Sequence, residues 1–208
     1  MKHSSRCYIF AAGSYYGLVN RPSANDYVIA ADGGYQWCLQ EKITPQLLLG
    51  DFDSLSQIPK DIPVRTFPMQ KDDTDTMLAI KTGLDLGYLE FHLYGCSGGR
   101  LDHTLANLQA LVYLSKQNAK GFLYGKHETF TAIENGSILL SGQKQQLFSV
   151  FCFGPDATGV SIQGAEYPLS NATLTSSFPM GVSNQFLEGV VSIRVQNGCL
   201  LVGWERSF

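Results

Sequence analysis

Residues 27–40 read YVIAADGGYQWCLQ, and this stretch decides the fold. Tyr27 to Ala31 is a short apolar run of the kind that forms a strand buried on both faces. Asp32 and the pair Gly33-Gly34 break it, and Tyr35, Cys38 and Leu39 then recur at helical spacing. The unit is strand, acidic glycine turn, helix. Outward from it the same grammar returns: Cys7 to Ala12, Leu47 to Leu49, Val64 to Phe67, Phe91 to Tyr94 and Phe122 to Tyr124 all read as strands. Met77, Ile80 and Leu84 form a helical stripe that Gly87 should stop. Leu101, Leu105, Leu108 and Val112 form another, the clearest of the set. Strands alternating with helices imply a mostly parallel sheet, Rossmann-like, with helices on both faces.

Beyond Gly125 the helical pattern ends. Thr129 to Ile133, Ser137 to Leu140, Gln146 to Phe153, Val160 to Gln163, Val190 to Val195 and Leu200 to Trp204 read as strands separated by Asn-Gly, Ser-Gly and Gly-Pro-Asp turns. Asn197-Gly198 is the strongest hairpin signal among them. The expectation is an α/β domain over residues 1–125 and an all-β sandwich or barrel over 126–208, closely packed because no Gly/Ser linker intervenes.

Composition limits the function. The chain has 208 residues, 44% hydrophobic and 16% charged, with a formal net charge of -3. That gives no basic footprint for nucleic acid. The five cysteines are scattered and form no C-x-x-C pair, which fits a reducing cytoplasm better than a disulfide scaffold or zinc site. The apolar stretch near the N-terminus is too short to span a membrane.

The acidic residues of the first half fall where the strands end. Asp32 follows one strand. Asp51 and Asp53 lie in Gly50-Asp51-Phe52-Asp53-Ser54, after another. Lys71-Asp72-Asp73-Thr74-Asp75 precedes the Met77 helix, and Gly98-Gly99-Arg100-Leu101-Asp102-His103 opens the Leu105 helix. In an open parallel sheet those positions converge on one edge, where ligands bind. Two carboxylates about 4 Å apart repel by roughly 4 kcal/mol at an effective dielectric near 20, so such a cluster calls for a cation. Asp51, Asp53 and Asp75 are hard oxygen ligands suited to Mg²⁺ shared with phosphates. Lys71 and Arg100 supply charge for a polyphosphate, and Gly33, Gly34, Gly98 and Gly99 allow close backbone approach. Each acid alone has a plainer reading: Asp75 and Asp102 suit helix caps, Asp51 and Asp53 suit a turn, and His103 a structural hydrogen bond. The joint recurrence at equivalent points of successive units is what those readings explain poorly.

In that order, with Gly164-Ala165-Glu166-Tyr167-Pro168-Leu169 and Gly181-Val182-Ser183-Asn184 following, the motifs resemble the thiamine pyrophosphokinase family. The resemblance implies transfer of the pyrophosphoryl group of ATP to thiamine, giving thiamine diphosphate and AMP, with Mg²⁺. It implies a homodimer with thiamine bound at the subunit interface. Carried over by position, Asp51, Asp53, Asp75 and Asp32 are the metal ligands. Asp32, Gly33, Gly34, Asp53, Ser54, Lys71, Thr74, Asp75, Gly98, Gly99 and Arg100 hold ATP. Lys71 and Arg100 neutralise the triphosphate, and Asp102 orients or deprotonates the thiamine hydroxyl. Tyr167, Ser183 and Asn184 bind thiamine, although spacing alone reads the last two as a turn before Phe186. One departure is the segment Phe10 to Tyr16, which lacks the glycine-rich first turn the family suggests. A magnesium-dependent phosphohydrolase, a kinase releasing ADP, and a nucleotide or thiamine sensor without turnover are the competing readings.

Overall fold

The computed structural model describes residues 5–50, 61–66 and 73–206. Asp51, Asp53, Ser54, Lys71 and Asp72 lie outside the described residues. The chain divides into two compact units: one runs to Ala110 and resumes at Asn118–Lys126, and the other takes Leu111–Gln117 and the chain from His127 on.

In the first unit, strands β1 (Cys7–Phe10), β2 (Tyr27–Ala31), β3 (Leu47–Gly50), β4 (Val64–Thr66), β5 (Glu90–Tyr94) and β6 (Lys120–Tyr124) pair side by side in the order β6-β5-β1-β2-β3-β4. Every pairing is parallel. From β1 the chain therefore builds outward one way through β2, β3 and β4, then returns to the other side of β1 for β5 and β6. Between β1 and β5 lies the point where strand order reverses.

Alternate residues of these strands face opposite layers. Tyr8, Phe10, Val28, Ala30, Leu48 and Tyr94 pack with Cys38 of α1 (Tyr35–Gln40). On the other face Gly83 of α2 (Asp75–Asp85) sits against Phe91 and the Cys7 sulfur, so closely that an added Cβ would lie 2.5 Å from the Phe91 ring. Helices thus cover both faces, as expected. The core face of α2 is Thr76, Ala79, Ile80 and Gly83. This is rotated from the Met77, Ile80, Leu84 stripe, because close approach to β1 and β5 requires glycine at 83. Gly87 does stop the helix: with φ +89 it lets Gly87 N–H bond the Leu84 carbonyl and Tyr88 N–H the Gly83 carbonyl.

Helix α3 (Leu101–Lys116) corrects the sequence expectation more sharply. Leu101 is 72% and Leu105 52% exposed, whereas Asn107, Ala110, Leu111 and Leu114 are buried. The Asn107 amide donates to the Cys96 carbonyl at 2.8 Å, which fixes the helix rotation and turns the leading leucines outward.

The second unit is a sandwich of two antiparallel sheets. One is β12-β9-β14-β7, the other β11-β10-β13-β8, built from β7 (Glu128–Glu134), β8 (Ser137–Ser141), β9 (Leu147–Cys152), β10 (Ala157–Gln163), β11 (Leu169–Leu174), β12 (Gly181–Gln185), β13 (Val190–Arg194) and β14 (Cys199–Glu205). Phe148, Val150, Val160, Ile162, Phe186, Val191, Ile193, Leu200 and Val202 share its core. The turn Asn197-Gly198 is not a hairpin, since β13 and β14 belong to different sheets. It carries the chain across the sandwich, as Asn135-Gly136 does between β7 and β8. The two crossings bond each other: Gly198 N–H donates to Asn135 Oδ1 at 2.8 Å, and Asn135 N–H to the Gly198 carbonyl at 3.1 Å. Ser183 and Asn184, read from spacing as a turn, lie within β12. Sequence spacing also missed β11. Both missed strands are sheet edges with few inward apolar residues, so alternation is faint.

Candidate active site

At the reversal of strand order the first unit opens a cleft of about 360 Å³. Its lining follows the carboxyl ends of the strands: Ala11, Ala12 and Gly13 after β1, Asp32 after β2, and Gly95, Cys96, Gly98, Gly99 and Arg100 after β5. Thr74, Asp75 and Thr76 enter from the start of α2, and His103 and Asn107 from α3. This is where open α/β sheets bind ligands, because the diverging connections leave a crevice.

Backbone pairing holds the two strand exits together. Ala11 N–H donates to the Tyr94 carbonyl at 2.9 Å, Gly13 N–H to Gly95 at 2.8 Å and Ser14 N–H to Ser97 at 3.0 Å. Gly95, at φ +64, fits only because it lacks a Cβ, which would collide with the Ala11 carbonyl. Gly98 and Gly99 also have positive φ and lie on the lining. Gly33 and Gly34 do not line the cleft. A Cβ on Gly34 would collide with the Phe10 carbonyl, so that glycine serves the packing of the turn beneath β1.

Two of the expected acids reach the cleft. Asp32 occupies the first position of a 3-10 turn, with φ +48. Asp75 is the first residue of α2, and the cap is its neighbour, since Thr74 Oγ1 accepts the Met77 N–H at 3.2 Å. The capping explanation of Asp75 therefore fails, and its carboxylate stands at the positive end of a helix dipole. The end of β3 abuts Asp32: a Cβ on Gly50 would lie 3.2 Å from the Asp32 Cα. Asp51 follows Gly50 in the sequence.

His103 and Asn107 share one face of α3, Arg100 immediately precedes the helix, and all three line the cleft. Asp102 is a residue off that face and is not part of the lining. Its carboxylate pairs side-on with the guanidinium, Arg100 Nε to Oδ1 at 3.1 Å and Nη2 to Oδ2 at 2.6 Å, and accepts the His103 N–H at 3.0 Å. The hydrogen bond from Arg100, foremost, holds the Asp102 carboxyl below its usual range. Cys96 has its thiol pushed up to about 12 by burial, so it is an inert wall of the cleft. Among the described residues no group of three or more His, Cys, Asp or Glu could by itself hold a metal ion.

In the second unit Asn184 is 4% exposed and Tyr167 66% exposed. Asn184 Oδ1 accepts Tyr167 N–H at 3.0 Å and Gln185 N–H at 2.9 Å, and its amide donates to the Tyr167 carbonyl at 2.8 Å. Ser183 takes φ +59, and its N–H donates to Ser149 Oγ at 3.1 Å. The structure therefore ties Asn184 to Tyr167, whereas Ser183, its exposed neighbour in β12, bonds to Ser149 of β9. Sequence reasoning missed Ala11, Ala12, Thr76, Gly95, Cys96 and Asn107 as cleft residues. Asn107 did carry a signal, a polar residue four positions after His103 and so on the same helix face.

Two family models match the chain: thiamin pyrophosphokinase, catalytic domain, over residues 20–123, and thiamin pyrophosphokinase, vitamin B1 binding domain, over residues 137–200. The chain belongs to the thiamin pyrophosphokinase family. Its activity is that of a thiamine diphosphokinase, with ATP and thiamine as substrates. It is 28% identical over 181 residues to a thiamine pyrophosphokinase of Bacillus subtilis (strain 168), covering 84% of this chain and 85% of that protein. The fold is that of the crystal structure of thiamine pyrophosphokinase from Bacillus subtilis, with TM-score 0.89 at 24% identity over 98% of this chain and 100% of that one. The Geobacillus thermodenitrificans thiamin pyrophosphokinase structure gives 0.84 at 20% identity over 97% and 98%. The one from Candida albicans gives 0.73 at 13% identity over 97% and 90%. No helix among the described residues is long and apolar enough to cross a membrane.

Proposed function

We propose that ATP binds with Mg²⁺ in the cleft of the first unit, its triphosphate over Gly98, Gly99 and Arg100. The observation that carries this reading is the meeting of Asp32, Asp75, Arg100 and the glycine turn after β5 at the reversal of strand order. Asp32 and Asp75, with Asp51 and Asp53 from the segment after β3, would hold the metal. Two carboxylates at a cleft wide enough for a polyphosphate suit Mg²⁺, which takes one or two protein carboxylates and completes its shell with phosphate and water. When bound, the ion supplies charge neutralisation at the phosphoryl oxygens. Lys71 and Arg100 add positive charge, and Thr74 and Ser54 shape the nucleotide's surroundings, while Gly33 and Gly34 serve only through the turn that carries Asp32.

The chain's own part in the reaction is positioning. The thiamine hydroxyl oxygen forms a bond to the β-phosphorus, the bond to the α–β bridging oxygen breaks, and AMP leaves with that electron pair. Such transfers need alignment and charge stabilisation more than a strong base. Asp102, which does not line the cleft itself, would act through Arg100, whose guanidinium it holds, in orienting the hydroxyl. Residues 1–125 make up the catalytic domain and residues 126–208 the thiamine-binding domain. There Tyr167 offers an aromatic face to the cationic thiazolium, with Ser183 and Asn184 beside it. A homodimer, with thiamine at the subunit interface, would let Tyr167 of one copy serve its partner. A cytoplasmic location accords with free cysteines that are mostly buried.

The test is to incubate the protein with ATP and thiamine, with and without Mg²⁺, and to identify the products. Equimolar AMP and thiamine diphosphate, lost on chelation and in Asp75→Asn, are expected. ADP as product, or full turnover after chelation, would overturn the reading.

A further inference from the structure

His103 is the cleft group that the fold leaves unengaged. It stands in the first turn of α3, between Arg100 just before the helix and Asn107 one turn on, and with both it lines the cleft that Asp32 and Asp75 also line. Its neighbours on that helix are committed: Asp102 accepts three hydrogen bonds, Arg100 gives two of them, and Asn107 is tied to the Cys96 carbonyl. The His103 backbone N–H donates to Asp102, but its imidazole makes no hydrogen bond to any described residue. A purely structural histidine would be satisfied by the fold, as His92 is by Tyr124 at 2.7 Å and Glu90 at 3.1 Å. Among the described residues nothing satisfies the His103 ring in that way, and the residue is exposed.

The surroundings state what it faces. The start of α3 carries the positive end of the helix dipole, and Arg100 lies one turn earlier. That side of the cleft suits anionic oxygens. Resting on the reading that the triphosphate lies over Gly98–Arg100, we propose that His103 is a further catalytic residue of this enzyme: its ring N–H donates to an oxygen of the pyrophosphoryl group as charge builds there during transfer. Both the neutral ring and the imidazolium carry an N–H, so the contact does not depend on titration. The residue takes no covalent part. The alcohol oxygen bonds to the β-phosphorus, AMP departs, and the alcohol proton passes to water.

A donor aimed at developing charge lowers the barrier without tightening ground-state binding, so its loss should appear in kcat and leave KM alone. The experiment compares wild type, His103→Leu and His103→Gln with ATP, Mg²⁺ and thiamine. The expected result is a fall in kcat of about 100-fold for His103→Leu, with KM for ATP and thiamine within about threefold of wild type. His103→Gln keeps an N–H and should recover about tenfold of that loss. Melting temperatures should be the same in all three. The inference is overturned if His103→Leu turns over as wild type does, if the loss falls on KM alone, or if both variants lose activity together with a lowered melting temperature. Absence of turnover in the wild type would instead overturn the functional reading on which it rests.

Discussion

The Asn184 side chain closes a ring with the Tyr167 backbone, its oxygen taking the N–H and its nitrogen giving to the carbonyl. An amide side chain here does what a neighbouring strand would do, and it holds an exposed aromatic ring on a fixed backbone. Asn184→Ala leaves both backbone groups without that partner, at a cost of roughly 1–3 kcal/mol. A lower denaturant midpoint is expected, and the KM for thiamine should rise more than the KM for ATP. An equal rise in both would remove Tyr167 from the thiamine site.

Arg100 and Asp102 pair at the surface, with side chains 72% and 63% exposed. Exposed pairs add little to stability, so Arg100→Ala should leave the melting temperature unchanged. Turnover should nevertheless fall by about 100-fold, because the guanidinium would be lost from the phosphate side of the cleft. Arg100→Lys should restore only part of it, lacking the planar fork. Steady-state kinetics on the three proteins checks this.

Gly34 is closed in by the Phe10 carbonyl and the Ala11 nitrogen. Backbone cannot yield as a flexible side chain does. Gly34→Ala should cost about 1–3 kcal/mol through overpacking and displace the turn that carries Asp32. Gly99, with open space around it but φ +68, offers the contrast. Gly99→Ala should strain the turn by roughly 1–2 kcal/mol without any collision. Thermal denaturation of both variants, with turnover measured alongside, separates packing from conformation.

His92 is buried against Tyr8 and Tyr124, and burial, partly opposed by Glu90, holds its imidazole below the ordinary 6.5. The folded state therefore takes up this proton less readily than the unfolded chain. Its contribution to stability is complete above pH 6.5 and is lost as pH falls through the folded value. Urea midpoints should decline on acidification below that point. In His92→Phe the decline should be shallower, and an unchanged slope would refute the assignment.

How much of this was legible in the sequence depended on burial. Tyr27 to Ala31 matched its strand residue for residue, because a centre strand buried on both faces has no polar interruption. The acidic positions at strand ends were legible for the same reason: Asp32 stands where the apolar run stops. Register within α3 was not legible. Leu101 and Leu105 gave an apolar stripe as good as that of Leu111 and Leu114, and only the Asn107 bond to Cys96, a tertiary contact, decides between them. The Asn197-Gly198 signal named a turn correctly and its partners wrongly, since a two-residue turn cannot announce which sheet the next strand joins. Asn184 was visible as a candidate, but its engagement with Tyr167, seventeen positions away, needs the chain between them to be folded first.

The bond from Trp37 Nε1 to the Ala11 carbonyl, at 3.2 Å, places an indole directly behind the cleft wall, stacked on Tyr15 at 5.4 Å. The chain has only two tryptophans, and the other, Trp204, lies in the β-sandwich unit. Light emitted by Trp37 therefore samples this cleft with no added label. With Trp204→Phe as background, its spectrum becomes an optical gauge of occupancy, readable in real time as a ligand enters.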